Sequence, residues 1–338
     1  MTLLGHPEGI QMQKLFDGIT WNDCLTVKTN WVDRFFHRVP ERTDLKVRAH
    51  VLSLKFSGNR QESLAFAEYV SSRIENYVFD KNALERYRED EINSYPKASS
   101  FFGNTNPVKD GKYGELILYL LVEAIFQTPM VCHKLCLLTN SNDQVKGGDG
   151  IFFGQRGGNL SILIGESKIY QDLNGALNSS LQSIDRFNQD HLTSSFDHEL
   201  FIARSNISSN FSLAQAKALL KAFRPGTPEY QACNKVFPIL LIYDDEEIDS
   251  IEEVAANKEH AEKLISEWIT EHSDGVLTNI KSKLSTKSDL RKLFLEFFLI
   301  PMSDVGKFKK LLFKQIHGIE YKEPASEKTA KTIKKGES

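Results

Sequence analysis

Apolar and polar residues first alternate regularly at Leu45, Val47, Ala49 and Val51, which predicts a strand with one buried face. After Ser57-Gly58 the spacing changes. Leu64, Ala67, Val70, Ile74 and Val78 recur at helical intervals and predict an amphipathic helix over residues 60–79. Residues 93–111 are rich in Ser, Asn, Pro, Gly and Lys and read as a loop, and residues 112–126 then predict a strongly apolar helix. Residues 134–138 read as a short strand and 140–148 as a polar loop. Residues 150–154 and 160–168 predict two strands joined by Gln155-Arg156-Gly157-Gly158-Asn159, which is hairpin chemistry. Leu173, Leu177, Leu181, Ile184 and Phe187 form a helical stripe over 172–188, and the continuous apolar run 236–243 predicts a buried strand. The order is helix, three strands, helix, strand, with 191–234 inserted before the last strand.

Composition narrows the class. The 338 residues are 41% hydrophobic and include 22 Phe, too many large apolar side chains for a solvated coil. The net charge of −3 gives no global basic field, so nucleic acid would have to bind a local patch. Four scattered cysteines, Cys24, Cys132, Cys136 and Cys233, fit a reducing compartment rather than a disulfide framework. The N-terminus lacks a basic segment followed by an apolar run, and the longest apolar stretch, 116–126, carries Glu123 and is shorter than the about 20 residues of a membrane span. The expectation is a soluble cytoplasmic protein with no membrane contact.

Charge segregates toward the C-terminus. Residues 244–274 hold 12 Asp/Glu against 2 Lys, and 275–316 hold 9 Lys/Arg against 3 Asp/Glu, both read as helical. Lys307, Lys309, Lys310 and Lys314 near Phe308 and Phe313 are candidates for phosphate-backbone contact, against the alternative of a solvated helix face. The acidic stretch, with Glu252, Glu253, Glu259 and Glu262, is expected to repel DNA or to dock a basic partner. Residues 322–338 read as a frayed tail.

The candidate chemistry lies in the middle of the chain. On a strand, Ile162, Ile164, Glu166 and Lys168 share one face, so an apolar strand ends in a carboxylate beside an ammonium. Burying such a pair in mid-core is costly, which places it at a cleft. A hairpin turn centred between Gly157 and Gly158 sets Asp149 directly across from Glu166. Glu115, on the preceding helix, is a third carboxylate in reach. Carboxylates without nearby His or Cys favour a hard cation such as Mg²⁺ or Mn²⁺, and a lysine beside it can position or deprotonate a water or stabilise charge on a phosphoryl oxygen. The bland alternatives are a solvated strand pair for Glu166 and Lys168, a turn for Gly147-Gly148-Asp149-Gly150, and helix N-terminal charge compensation for Glu115.

Other features carry less. Cys132-His133-x-x-Cys136 has no second ligand pair to complete a zinc site, and its cysteines read as core residues. His191 and His198 have no nucleophile signature beside them, Gln171 and Gln182 read as surface positions, and no Walker A or dinucleotide glycine pattern occurs.

Gly148-Asp149 followed by Glu166-Ser167-Lys168 resembles the PD-(D/E)XK nuclease signature, with Gly148 in place of the proline. The wider pattern resembles the HamA/AbpA family of bacterial anti-phage systems, Hachiman and its relatives. Gly114-Glu115-Leu116-Ile117-Leu118-Tyr119, Lys134-Leu135, Gly147-Gly148-Asp149-Gly150 and Ile164-Gly165-Glu166-Ser167-Lys168-Ile169-Tyr170 carry it, with Phe298-Leu299-Ile300-Pro301 before a basic helix. The resemblance, over residues 40–318, implies an α/β fold with a restriction-endonuclease-like core in a mixed sheet. With the patterns above it divides the chain into an N-terminal α/β region (1–95), the core (96–245), a C-terminal helical region (246–320) and a disordered tail (321–338). It also implies a Mg²⁺-dependent deoxyribonuclease with Asp149, Glu166 and Glu115 as metal ligands and Lys168 as catalytic lysine. The implied partner besides DNA is a superfamily 2 helicase of the HamB/AbpB kind that keeps the nuclease inactive until triggered. A rival reading is a non-catalytic DNA-binding or scaffolding subunit.

Overall fold

The computed structural model describes Lys14, Phe16 and residues 21–132, 149–189 and 195–322; the side chains of 187–199 are not described. Among these residues a seven-stranded mixed sheet organises the chain. Its strands are β1 (Phe36–Arg38), β2 (Arg42–Asp44), β3 (Val47–Leu54), β6 (Gly150–Arg156), β7 (Asn159–Tyr170), β8 (Asn234–Asp244) and β9 (Phe294–Met302), and a small hairpin, β4 (Phe56–Ser57) with β5 (Arg60–Gln61), stands apart. The order is β1-β3-β9-β8-β7-β6, with β2 also on β3. Strands β3, β9, β8 and β7 run parallel, and β6 closes the edge antiparallel to β7. The fold class is α/β, as the sequence predicts.

Alternation along the strands divides the core. Leu163, Leu240, Ile242, Phe298 and Ile300 face the helix α7 (Lys112–Leu121) and the helix α14 (Val305–His317). Ile162, Ile164, Ile239, Leu241, Phe297 and Leu299 face α8 (Leu173–Gln189) and α13 (Lys258–Ser285). Each fully buried Leu, Ile or Phe stabilises the fold by about 1.5–3 kcal/mol, so the two apolar faces of the central strands hold helices on both sides of the sheet.

Several expectations change. The helix expected over 60–79 is two, α3 (Ser63–Ser71) and α4 (Ile74–Val78), broken at Ser72 and Arg73. Residues 93–111 contain α6 (Tyr95–Phe102), whose proline sits in the first turn, where a missing N–H is harmless, and whose Ala98, Phe101 and Phe102 are buried. Helix α7 continues into a π-helical turn, Val122–Phe126, within the predicted 112–126. The region 246–320 is not purely helical: β9 lies between β3 and β8, so strands from the N-terminal, middle and C-terminal regions share one sheet. Every residue from Leu295 to Met302 is buried, a run of the kind that marked the strand at 236–243, here lying inside the stretch read as helical. The predicted 134–138 strand, the 140–148 loop with Gly147 and Gly148, and His133, Cys136 and His191 lie outside the described residues, as do residues 323–338 and the His198 side chain. Just before that span, Met130 bridges Phe152 antiparallel, so the chain leaves α7 along the outer edge of β6.

The charged C-terminal stretches are less free than their composition suggests. Phe308, Phe313 and Lys309 are buried on α14, and the Lys309 ammonium donates to the Val108 carbonyl at 2.7 Å. Lys307, Lys310 and Lys314 remain exposed. Among the acidic residues, Glu252 is buried and accepts from the Arg60 guanidinium at 2.6 Å and the Gln61 N–H at 2.9 Å. Glu262 accepts from the Phe56 N–H at 3.0 Å and pairs with His37. Both therefore anchor the small hairpin instead of standing as free surface charges.

Candidate active site

The hairpin register is the one expected: Gly150 pairs with Gly165 and Arg156 with Asn159, around a turn in which Gly157 and Gly158 have φ of 55° and 81°. Its strands carry the site beside the start of β6 and into the C-terminal half of β7, which goes on pairing with β8 as far as Tyr170 and Tyr243. Glu166 and Lys168 extend the face of Ile162 and Ile164, as predicted, and form an ion pair there, opposite Ile239 and Leu241 of β8. Glu166 is 4% exposed, and the Lys168 side chain 22%. Burial lowers the Lys168 pKa, but the Glu166 carboxylate, with Asp149 and Tyr170, outweighs it and holds the ammonium above its ordinary value. Lys168 is thus charged at neutral pH. It can donate hydrogen bonds and stabilise negative charge, but it is no general base in this state.

Asp149 does not simply face Glu166. The regular ladder ends at Gly150, and the Asp149 N–H donates to the Gly165 carbonyl at 2.9 Å. Its Oδ2 accepts from both the backbone N–H and the hydroxyl of Ser167, each at 2.6 Å. Ser167 lies on the α7 face of β7, opposite to Glu166 and Lys168. The Asp149 charge also acts on Lys168 and on the Tyr77 hydroxyl, so it stands between the two faces at the strand ends.

Glu115 lies on the α7 side. In the first turn of α7, its Oε2 accepts from the buried Tyr77 hydroxyl at 2.9 Å. Burial raises the Tyr77 pKa well above its ordinary value, reinforced by Glu115 and Asp149, so Tyr77 stays a neutral donor. The helix approaches closely because two glycines meet the strand. A Cβ on Gly114 would stand 2.8 Å from the Ser167 hydroxyl oxygen, and one on Gly165 would stand 2.6 Å from Leu118 Cδ2.

The predicted residues therefore gather at one edge without forming a closed cage. Among the described residues no group of three His, Cys, Asp or Glu side chains is arranged to hold a metal ion. Two carboxylates nevertheless act on one ammonium, and this all-oxygen donor set, with its surplus of negative charge, suits a hard divalent cation. Mg²⁺ uses one or two carboxylates and completes its shell with water and phosphate oxygens. Asp149 and Glu166 fit that demand, and Glu115 belongs to the Tyr77 side of the site.

Ser167 was within reach of the sequence, since the residue between Glu166 and Lys168 must point to the opposite face. Tyr77 carried no local signal. Of the alternative candidates, Cys132 is buried, and Gln171 and Gln182 are exposed. No helix among the described residues is long and apolar enough to cross a membrane.

No curated protein matches the chain. The family model of HamA matches residues 27–316, which include the whole of the described sheet and every one of these site residues. The chain belongs to the HamA family, and this membership points to a component of Hachiman-type antiviral defence.

Proposed function

We propose that the chain is a Mg²⁺-dependent deoxyribonuclease, the effector subunit of an anti-phage complex with a superfamily 2 helicase-like partner that holds it inactive until triggered. The observation that carries the reading is the cluster of Asp149, Glu166 and Lys168 where β6 begins beside the C-terminal half of β7, with more carboxylate than ammonium. Asp149 and Glu166 would hold Mg²⁺, with Mn²⁺ as a substitute. Bound there, the cation would supply Lewis acidity toward the scissile phosphate and acidify an attacking water.

The protein groups have separable roles. Lys168 donates its hydrogen bonds to the water or to a non-bridging phosphoryl oxygen, and its fixed charge offsets the negative charge that grows in the transition state. Ser167 holds Asp149 in one orientation through two hydrogen bonds. Tyr77 does the same for Glu115. The close seat of α7 on β7 at Gly114 and Gly165 fixes the two halves of the site against each other.

The test is hydrolysis of linear, nicked and single-stranded DNA in Mg²⁺, by the full chain alone and with its helicase partner plus ATP, beside Glu166→Ala and Lys168→Ala proteins. The expected result is cleavage by wild type that both variants lose. Equal cleavage by all three proteins, or none by any of them with and without the partner, overturns the reading; the latter result favours the non-catalytic binding subunit.

A further inference from the structure

At the opposite end of the sheet, the amino edge of β7, β8 and β9, a cavity of about 210 Å³ opens on the α7 face. Lys46, Arg48, Arg156, Asn159, Asn234 and Glu296 are among its lining residues. Asn159 and Glu166 are separated by seven residues of one extended strand, about 23 Å at about 3.3 Å per residue, so this cavity is distinct from the carboxylate site.

Its charge and rigidity both point to an anion. Lys46, Arg48 and Arg156 face a single carboxylate, Glu296. Glu296 is already partnered: Arg156 Nη2 donates to both of its oxygens at 2.8 and 2.7 Å, and His50 lies 3.5 Å away. Arg48 stands 3.9 Å from the same carboxylate, and its side chain is 42% exposed. The local charge balance therefore leaves two cations in excess. Arg156 is held in place by Glu296 and by the Phe126 ring, 3.9 Å beneath the guanidinium. Its Nε is buried and has no hydrogen-bond partner among the described residues. Lys46 is steered by the Lys292 carbonyl at 2.7 Å and lies over the Phe294 ring.

A rigid guanidinium, a second exposed one, an ammonium and two side-chain amides around a concavity are the groups that recognise tetrahedral oxyanions, because the planar forks match phosphate oxygens. The volume exceeds that of a bare phosphate and leaves room for part of an attached sugar. We propose that this cavity is a phosphate-binding site, contacted chiefly by Arg48, Arg156 and Lys46, which takes either a free phosphate or a phosphate of a nucleic-acid strand. It stands whether or not the carboxylate edge is a nuclease.

The test measures binding by the full-length protein in EDTA, with inorganic phosphate followed by equilibrium dialysis and a 12-nucleotide single-stranded DNA followed by fluorescence anisotropy across a salt series. Lys46→Gln/Arg48→Gln removes the surplus charge while leaving the Arg156–Glu296 pair intact, and Arg48→Gln alone keeps the Lys46 contact if the double variant fails to fold. Phosphate affinity is expected to fall about tenfold in the double variant and less in the single one. If the strand is the source, the oligonucleotide binds more tightly than free phosphate and the double variant loses about 1.4 units of salt slope. If free phosphate is the source, only phosphate binding changes. Absent phosphate and oligonucleotide binding in wild type, or unchanged binding of both in the Arg48→Gln protein, overturns the proposal.

Discussion

The Asp149 carboxylate and Ser167 are joined twice, by the backbone N–H and the hydroxyl of Ser167, each at 2.6 Å from the same oxygen. This link replaces the ladder bond that would follow Gly150 and fixes the orientation of the carboxylate at the strand end. It predicts that Ser167→Ala, which removes one of the two bonds, lowers stability by about 1–2 kcal/mol and weakens divalent-metal affinity by about tenfold. Chemical denaturation and metal titration of the two proteins check both numbers.

The same serine explains a steric prediction. A methyl at Gly114 would press on the Ser167 hydroxyl, which cannot turn away without releasing Asp149. Gly114→Ala is expected to destabilise the fold by about 1–3 kcal/mol. Gly111→Ala, three positions earlier with open space around its Cβ direction, should cost only about 0.5–1 kcal/mol, the preference of a helix N-cap for Gly over Ala. Equal melting shifts for the two variants would contradict the close helix–strand seat.

Lys168 makes a pH prediction. Its folded pKa lies above the ordinary 10.5, so its stabilising contribution is complete below the unfolded value and disappears as pH rises through the folded one. The difference in melting temperature between wild type and Lys168→Met is therefore flat from about pH 6 to 9 and shrinks only in the alkaline limb. Catalysis should fall by about 10²–10³ in the variant, with no lysine deprotonation step in the neutral pH–rate profile.

How far the sequence spoke depended on whether a pattern was local. The hairpin register and the shared face of Glu166 and Lys168 follow from a period of two and a glycine turn, and both hold in the structure. The Asp149–Ser167 link lay beyond that logic because it forms where the ladder stops. Glu115 finds Tyr77 across 38 residues, a pairing set by how α4 packs on α7 and not by any spacing within either helix. Strand β9 was missed inside a stretch read as helical, although its apolar run is of the kind that marked β8, and its place between β3 and β8 comes from the topology of the whole sheet. The acidic stretch misled in the opposite way: its count was right, but Glu252 and Glu262 spend their charge on backbone N–H groups of the small hairpin.

A second titration belongs to the π-helical turn. Glu123 is fully buried, with Oε2 accepting from the Thr26 N–H and hydroxyl, both at 2.8 Å, and from the Val27 N–H at 3.1 Å; Oε1 accepts from the Met130 N–H at 3.2 Å. Burial pushes its pKa up to about 7, against the lowering effect of these donors. A raised carboxyl pKa stabilises the fold fully below the unfolded value of 4.5, and that contribution is lost as pH rises through about 7. Between pH 5 and 8 wild type should therefore lose about 2–3 kcal/mol relative to Glu123→Gln, measured by urea unfolding at each pH. A constant difference would contradict the buried titration.

The central claim is that Asp149 and Glu166 share a divalent cation. Titration of the full chain with Mn²⁺, followed by the electron paramagnetic resonance signal of the free ion, tests it without needing a trigger, a partner or a DNA substrate. The account predicts saturable binding by wild type, competition by Mg²⁺, and loss of binding in both Asp149→Asn and Glu166→Gln proteins that remain folded. Equal binding by all three proteins, or no binding by wild type, would contradict it.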